Sequence, residues 1–243
     1  MNVRSPKDGV PVCDADRVTA PDVTLGRRGF LALSGGAALG ALCLKPGPAL
    51  AALPSDRAFR IFRKGEEIGV HRVSFEATGD RIISRVDVEI TVKVAFVTAF
   101  SFRQRGEDHW RDGMLVRSSV KTDDDGDVTR VEIEEGRGKL HVDGPSGTLN
   151  VPLGMMTDTS FWNADILRQS QVISAGKGDL EPIRSTPRGE DLLDLGGKKV
   201  RARHFEIASS SGRGGDIWYD PAGRWVKSTI RTRGEVLDYQ LIV

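Results

Sequence analysis

The stretch between residues 85 and 103 constrains the fold more than any other part of the sequence, because apolar and polar residues alternate along it. One alternating set is almost entirely apolar and consists of Val86, Val88, Ile90, Val92, Val94, Phe96, Thr98, Phe100 and Phe102. A period of two residues places these side chains on one face of a β-strand. Near Val97 both faces become apolar, so the stretch is either one long strand or two strands that meet at a bend. In both cases one face is expected to lie in a core.

Shorter β-rich runs are predicted on both sides of this stretch. Residues 57–63 and 68–77 form a hairpin joined at Lys64-Gly65-Glu66. Further runs recur at intervals of about ten residues and are separated by turn-forming residues such as Asp112-Gly113. They lie near 107–111, 114–122, 128–134, 138–142, 147–151, 198–209, 215–219, 225–233 and 236–243. This rhythm is typical of antiparallel hairpins in an all-β domain.

The segment after residue 156 departs from this pattern. Thr157-Asp158-Thr159-Ser160 offers N-cap residues, and apolar residues follow at the spacings of one helical face, namely Phe161, Trp162, Ala164, Ile166 and Leu167. A helix is therefore predicted over residues 160–170. The predicted fold is mainly β: a single curled antiparallel sheet of about ten strands, a half-barrel or β-spiral, with one helix packed on it.

The first 51 residues predict export. Arg27 and Arg28 precede an uncharged run that ends at Leu44, which resembles a twin-arginine signal recognised by the twin-arginine translocon. The run is too short to span a membrane and is only mildly hydrophobic. Ala49-Leu50-Ala51 supplies the small residues that a signal peptidase recognises, so cleavage is expected after Ala51. The sequence thus predicts a signal peptide over residues 1–51, a single β-rich domain over 52–243 and a periplasmic location.

The charge balance and the cysteines narrow the classes of function. The chain carries 35 basic and 34 acidic side chains, a net charge of +1, which argues against a nucleic-acid binder. No stretch of about 18 apolar residues occurs, so no stable membrane span is expected. Cys13 and Cys43 both precede the expected cleavage site, which leaves the mature chain without a disulfide or a reactive thiolate. Alternatively, Cys43 is a lipid attachment site, although Leu42 before it is larger than such sites require.

Two groups of residues with metal-binding chemistry occur at unfavourable spacings. Asp123 to Asp127, with Glu134, imitate a calcium loop, but Val128 stands where that loop requires glycine. The histidines show no metal-ligand spacing; they are His71, His109, His141 and His204. The sequence therefore predicts no metal and no cofactor, and it identifies no catalytic residue.

The glycine-rich stretch from Ser209 to Gly215 resembles a phosphate-binding loop in composition only. It lacks the Lys-Ser or Lys-Thr pair of a P-loop and precedes a strand rather than a helix. A hairpin loop is predicted there.

Three strings of residues resemble an uncharacterised family of exported proteobacterial proteins. They are Trp110-Arg111-Asp112-Gly113-Met114-Leu115, then Thr159-Ser160-Phe161-Trp162-Asn163, and the segment from Trp218 to Lys227 followed by Tyr239-Gln240-Leu241. The resemblance covers most of residues 57–243, and its motifs are structural turns. More distantly, such proteins resemble the half-barrel of periplasmic lipoprotein carriers, in which a curled sheet wraps around a helix. The resemblance implies a fold and a compartment, and it implies no catalytic residue.

The aromatic residues carry the functional hypothesis. Tryptophan and phenylalanine bring large apolar areas, and a sheet too open for one helix to fill would leave a cavity for a lipid-like ligand. The predicted ligand-binding residues are Phe96, Phe100, Phe102, Trp110 and Trp162. The sequence therefore favours an exported, non-enzymatic protein that binds an apolar or amphiphilic molecule of the cell envelope.

Two other functions stay open at this point. An exported hydrolase would use His109 with a nearby carboxylate such as Asp112 or Asp158, although the sequence contains no Gly-x-Ser-x-Gly elbow. A structural envelope protein would instead have a filled core and no ligand.

Overall fold

A computed structural model of the chain describes residues 53–94 and 96–242. In these residues fourteen strands form one sheet: β1 Arg57–Arg63, β2 Glu66–Thr78, β3 Arg81–Val94, β4 Val97–Arg111, β5 Met114–Asp124, β6 Asp127–Gly136, β7 Lys139–Gly144, β8 Gly147–Pro152, β9 Gln171–Ile173, β10 Leu180–Leu195, β11 Lys198–Ser209, β12 Gly214–Tyr219, β13 Trp225–Thr232 and β14 Glu235–Leu241. The predicted signal, with Arg27, Arg28, both cysteines and the cleavage site after Ala51, lies outside the described residues. Within those residues, no helix is long and apolar enough to cross a membrane.

The strands follow one another around the sheet as an antiparallel meander. Their order is β8-β7-β6-β5-β4-β3-β2-β1-β14-β13-β12-β11-β10-β9, so the first strand pairs with the last, and the two edge strands are consecutive in the chain. The alternating stretch of the sequence forms β3 and β4, whose register runs from Arg81 opposite Arg111 to Val94 opposite Val97. The interpretation of this stretch as two strands is therefore confirmed, as is the curled antiparallel sheet.

The predicted number of strands is wrong. The sequence pattern indicates about ten, whereas the described residues form fourteen. Two of the additional strands are β9 and β10, and β10 contains Pro182, Pro187 and Gly189, with a register shift between the last two. Proline and glycine weaken a local strand signal and are tolerated at sheet edges and bulges. Pairing with β11 along twelve positions outweighs that local preference.

The helix predicted over 160–170 is also wrong. The segment instead makes successive turns with hydrogen bonds between residues three apart, in which the donors are the amides of Ser160, Asn163, Ile166 and Gln169. Only Ala164–Arg168 forms a 3₁₀ helix. The expected N-cap hydroxyls bond one another, since Thr157 Oγ1 lies 2.9 Å from Thr159 Oγ1 and 2.9 Å from Ser160 Oγ. Side-chain hydrogen bonds of this kind compete with helix initiation.

Residues 153–170, which join β8 to β9, form a segment that we call the connector. Phe161, Trp162 and Leu167 of the connector pack against both large groups of buried apolar side chains. One group includes Phe59 and Trp225, and the other lies around Trp110 and Val131. The connector therefore takes the place that the sequence assigned to a helix. It supplies the apolar partner that the inner face of a curled sheet requires.

The two edges of the sheet meet along a seam. The Ser146 amide, in the β7–β8 turn, donates to the Lys177 carbonyl oxygen in the β9–β10 turn at 3.0 Å. Thr157 of the connector forms a parallel bridge with Ile173. At Gly144 a Cβ atom would lie 2.9 Å from the Lys177 carbonyl oxygen, so any side chain there would push the two backbones apart. The sheet curls until its edges touch through turns.

The outer face of the sheet is mostly polar and carries cross-strand ion pairs, apart from a small buried apolar cluster of Ala202, Trp218 and Val226. Arg85 on β3 donates to Glu76 on β2 at 2.8 Å and to Glu107 on β4 at 2.9 Å. Arg105 lies 3.5 Å from Asp87 and 3.3 Å from Glu89. Such exposed pairs favour the observed register modestly. The apolar chemistry of the sheet is consequently concentrated on its inner face.

Candidate functional site: an apolar mouth

The hairpin turns of the meander fall at two opposite ends of the sheet, because consecutive strands are antiparallel. The turns that join β1 to β2, β3 to β4 and each later odd-numbered strand to its even-numbered successor lie at one end. We call this the mouth end. The connector leaves β8 at the opposite end and enters β9, which pairs with only the first residues of β10, Leu180 to Pro182, beside the β9–β10 turn. Between these points Phe161, Trp162 and Leu167 pack on the inner face.

Apolar side chains on the inner face at the mouth end are only half-buried. Val92, Phe100, Phe102 and Ile230 pack against the buried core and keep part of their surface exposed. Beneath the connector Trp110 is 3% exposed and Leu115 0%, although Phe75 and Ile82 keep part of their surface exposed. The concave inner face of the curled sheet is thus well buried around Trp110 and keeps partly exposed apolar side chains at the mouth end.

An ion pair crosses this concavity. Arg233, in the β13–β14 turn, donates from Nη1 to Oδ1 of Asp124 at 3.0 Å, and its Nη2 donates to Oδ2. From β5, which ends at Asp124, to β14 there are five strand spacings, or roughly 24 Å along the sheet. A direct contact between these turns therefore requires the sheet to fold back on itself. The pair closes the curl at the mouth end.

The same arginine covers an aromatic ring of the lining. Its Cζ atom lies 5.1 Å from the centroid of Phe100, a cation–π distance. On the neighbouring strand pair Asp124 stands opposite Phe102. We define the mouth as the four apolar residues Val92, Phe100, Phe102 and Ile230 together with Asp124 and Arg233. It combines an apolar wall with a charged rim, a combination suited to an amphiphilic molecule.

The glycine-rich loop lies at the same end and binds a carboxylate of its own chain. Arg213 donates to Glu181, Ser211 also donates to Glu181, and Arg213 lies 3.4 Å from Asp158 of the connector. Burial raises the pKa of Glu181, but hydrogen bonds from the loop serines and Arg213 outweigh it and hold this pKa below its usual value. The hairpin loop predicted there is confirmed. The loop fixes the connector to β10.

The five residues predicted to bind a ligand fall into three places. Phe100 and Phe102 line the mouth. Trp110 and Trp162 lie in the half that the connector fills, with ring centroids 5.2 Å apart. Phe96, at the end of the β3–β4 hairpin, is fully exposed. The structure therefore brings two of the five together at the concavity.

Four residues of the mouth were missed by the sequence analysis. Val92 and Ile230 each lie in a predicted strand between two polar neighbours, Thr91 and Lys93 in one case and Thr229 and Arg231 in the other, which was a usable signal. Asp124 and Arg233 lie in turns 109 positions apart. Only the topology of the sheet brings them together, so no local pattern could have paired them.

The histidine of the hydrolase alternative lies on the outer face. His109 Nε2 is 2.9 Å from Glu107 Oε1, and Glu107 also accepts from Arg85. Asp158 is used elsewhere, because its Oδ1 accepts from the Ala175 amide at 2.9 Å. The carboxylate beside His109 is therefore Glu107, and neither Asp112 nor Asp158 hydrogen-bonds to it among the described residues.

The inner wall also contains a row of polar side chains deeper than the mouth. Ser84, Asp108 and Ser118 stand opposite one another on β3, β4 and β5, and all three are at least 99% buried. Burial raises the pKa of Asp108 to about 6. Ser84 accepts a hydrogen bond from Trp110 Nε1 at 2.9 Å, whereas Asp108 Oδ1 and Ser118 Oγ have no partner among the described residues.

Comparison with known proteins places the fold and the family. A solved structure from Brucella abortus, described as a beta-barrel-like protein of domain of unknown function DUF1849, is similar with a TM-score of 0.59 and 13% sequence identity, over 80% of this chain and 98% of that protein. At this identity the likeness shows the fold alone. No curated protein matches the sequence. The family described as domain of unknown function DUF6134 matches residues 59–242. The chain therefore belongs to the DUF6134 family.

Proposed function

We propose that this protein is exported to the periplasm and binds an apolar or amphiphilic envelope molecule in the mouth, without catalysing a reaction. The observation that carries the proposal is the contrast along the inner face. Around Trp110 and Leu115 the inner face is almost completely buried, whereas at the mouth Phe100, Phe102 and Ile230 remain partly open. A half-covered aromatic wall gains free energy from an apolar ligand that completes its burial.

The rim supports a ligand with a polar end. Arg233 and Asp124 hold each other across the concavity, and each can form hydrogen bonds with a polar group that approaches between them. Both are only partly buried, with exposed side-chain fractions of 60% and 31%. A molecule with an apolar chain and a polar head would therefore place the chain on the phenylalanines and the head at the rim.

The proposed compartment derives from the twin-arginine pattern around Arg27 and Arg28. A twin-arginine translocon moves proteins that have already folded, and this domain has no cysteine after Cys43, so it needs no oxidising compartment to form disulfides. Envelope lipids would be within reach of a protein delivered to the periplasm.

The proposal is tested by isolating the protein from its native compartment. The full chain is expressed in its source cell, recovered from the periplasmic fraction, weighed by native mass spectrometry and extracted with organic solvent. We expect an added mass that the extraction releases as a lipid-like compound. Recovery from the cytoplasm alone contradicts the compartment, and a bare mass without lipid or dye binding contradicts the binding role.

A pair of variants assigns the ligand to the mouth. Phe102→Ser should lower the bound fraction at least tenfold, since it removes an aromatic wall of the mouth. The matched control is Val128→Ser on β6, because Val128 is 50% exposed and lies outside the mouth. Circular dichroism of both variants checks that the sheet is intact. Equal loss in both variants, or in neither, would contradict binding at the mouth.

The same purified protein also tests the hydrolase alternative. Turnover of a panel of esters and amides that His109→Ala abolishes would establish an enzyme and replace the binding role as the primary function.

A further inference from the structure

The end of the β3–β4 hairpin is an apolar projection at the mouth end. Phe96 is 101% exposed and Val97 70% exposed, the two highest values among the large apolar side chains described. From Val94 to Phe100 the sequence contains no charged residue. Full exposure of a phenylalanine forfeits the free energy that its burial would supply. We call this end of the hairpin, with Phe96 and Val97, the finger.

The finger extends past its neighbours in the sheet. The pairing of β3 with β2 ends at Ile90 opposite Gly69, and the pairing of β4 with β5 ends at Phe102 opposite Asp124. Beyond these pairs β3 and β4 continue as a two-stranded ribbon for about four residues, or roughly 13 Å. Two-stranded ribbons are only marginally stable alone, so this one is held by its base in the sheet.

The other turns at the mouth end are polar. They include Lys64-Gly65-Glu66 between β1 and β2, Asp125-Gly126 between β5 and β6, and Arg233-Gly234 between β13 and β14. Val128 and Val236 beside two of these turns are also exposed, at 50% and 54%, but less than Phe96 and Val97. The most exposed apolar surface described at this end is therefore the finger, which points to a partner that accepts apolar groups.

We infer that the finger inserts into the surface of a lipid bilayer. The exposed area of Phe96 and Val97 is on the order of 300 Å², well below the roughly 800 Å² that each partner buries in a stable protein interface. Interfacial insertion into a membrane needs no such complementary surface, and aromatic side chains favour that position.

The acidic turn beside the finger favours a bilayer of low charge over a strongly anionic one. Asp124 is paired with Arg233, whereas Asp125 and Asp127 are exposed and would be repelled by anionic headgroups. We therefore expect apolar insertion, rather than charge attraction, to carry the contact.

The finger continues into the mouth, so membrane contact at the finger would bring lipid to the proposed binding site. Val92 stands opposite Phe100 at the base of the finger, and both line the mouth. An apolar chain leaving a bilayer along this hairpin would move from Phe96 and Val97 to Phe100 and Phe102, where it would meet Arg233 over the Phe100 ring. This use rests on the proposed function, although membrane contact itself does not.

The inference is tested by flotation with phosphatidylcholine vesicles at physiological salt, using protein purified from its source cell. We expect the wild type to float with the vesicles and the double variant Phe96→Ser, Val97→Ser to lose at least tenfold in partitioning. The matched control is Leu192→Ser on β10, since Leu192 is 67% exposed and lies towards the opposite end of the sheet. All three positions are exposed, so folding should be preserved.

A second variant reports the position of the finger directly. In Phe96→Trp, the emission of the added indole should shift to shorter wavelength with vesicles and be quenched by brominated lipid. Absence of wild-type flotation, equal flotation of the double variant, or an unshifted indole would overturn the inference. Self-association of the wild type that the double variant abolishes, without flotation, would assign the finger to a second copy and also overturn it. If the wild type does not float but still carries lipid in the mouth, the membrane inference fails while the proposed function stands.

Discussion

At the scale of single residues, two buried ionisable groups give the inner wall opposite responses to pH. His71 is surrounded by Phe59, Trp225 and Tyr239, with ring centroids 5.1 to 6.4 Å away, and burial lowers its pKa to about 3. It is therefore neutral in the fold, and stability falls as the pH drops below about 6.5. Asp108 behaves conversely, because burial raises its pKa to about 6.

The variant Asp108→Asn should be more stable than the wild type at pH 7.5 and about equally stable at pH 4. A carboxyl whose pKa rises from 3.8 to about 6 on folding binds its proton more tightly in the folded state. Its ionisation therefore destabilises the fold as the pH rises from about 4 to 6, and this destabilisation persists at higher pH. The gain at pH 7.5 is at most about 3 kcal/mol. Urea unfolding at both pH values measures it. Asp87→Asn on the outer face is the control, and a variant without this pH dependence would contradict the assignment.

At the scale of elements, the connector replaces the helix that the sequence pattern predicts. Phe161 and Trp162 pack against the core, as the pattern indicates, but they contact different residues. The ring centroids of Trp162 and Phe75 are 4.8 Å apart, and those of Phe161 and Trp225 are 6.5 Å apart. Local spacing predicted which side chains are apolar partners of the sheet. It could not predict a backbone whose turns are set by surfaces on both sides.

One hydrogen bond joins the connector to the opposite wall and predicts the effect of a single-atom change. Tyr219 Oη donates to the Phe161 carbonyl oxygen at 2.7 Å, and Tyr219 is 0% exposed. Tyr219→Phe leaves that carbonyl without its donor, so we expect a loss of about 1–3 kcal/mol in the free energy of unfolding. Tyr239→Phe is the control, because Tyr239 is similarly buried and makes no hydroxyl bond to the connector among the described residues. Equal losses would contradict the role of this bond.

At the scale of the whole sheet, the strands were predictable and their closure was not. Alternation and turn residues located most of β1 to β8 and β11 to β14, because each signal is local. The separate run predicted near 107–111 is wrong, since these residues are the end of β4. The seam and the mouth depend on strands that are distant in sequence: Arg233 meets Asp124, and Ser146 meets Lys177. The sequence therefore predicted Phe100 and Phe102 of the apolar wall, while the charged rim follows only from the curl.

The close contact at the seam makes Gly144 less tolerant of substitution than Gly136. A Cβ at Gly144 would lie 2.9 Å from the Lys177 carbonyl oxygen and 3.1 Å from the Gly178 Cα, whereas a Cβ at Gly136 meets nothing within 4 Å. Neither glycine has a positive φ, so backbone strain is not a factor in either substitution. Gly144→Ala must push the two edges apart, and we expect it to lower the free energy of unfolding by about 1–3 kcal/mol.

Hydrogen exchange would locate the loss of stability in Gly144→Ala. In Gly144→Ala the amides of Ser146 and Ile173 should exchange faster, since both donate hydrogen bonds across or beside the seam, while amides in β3 and β4 keep their protection. Gly136→Ala, which substitutes the same residue in open space at the β6–β7 turn, should leave both regions unchanged. Uniform acceleration throughout the sheet in Gly144→Ala, or equal effects of the two substitutions, would show that the seam does not close the sheet as an independent contact.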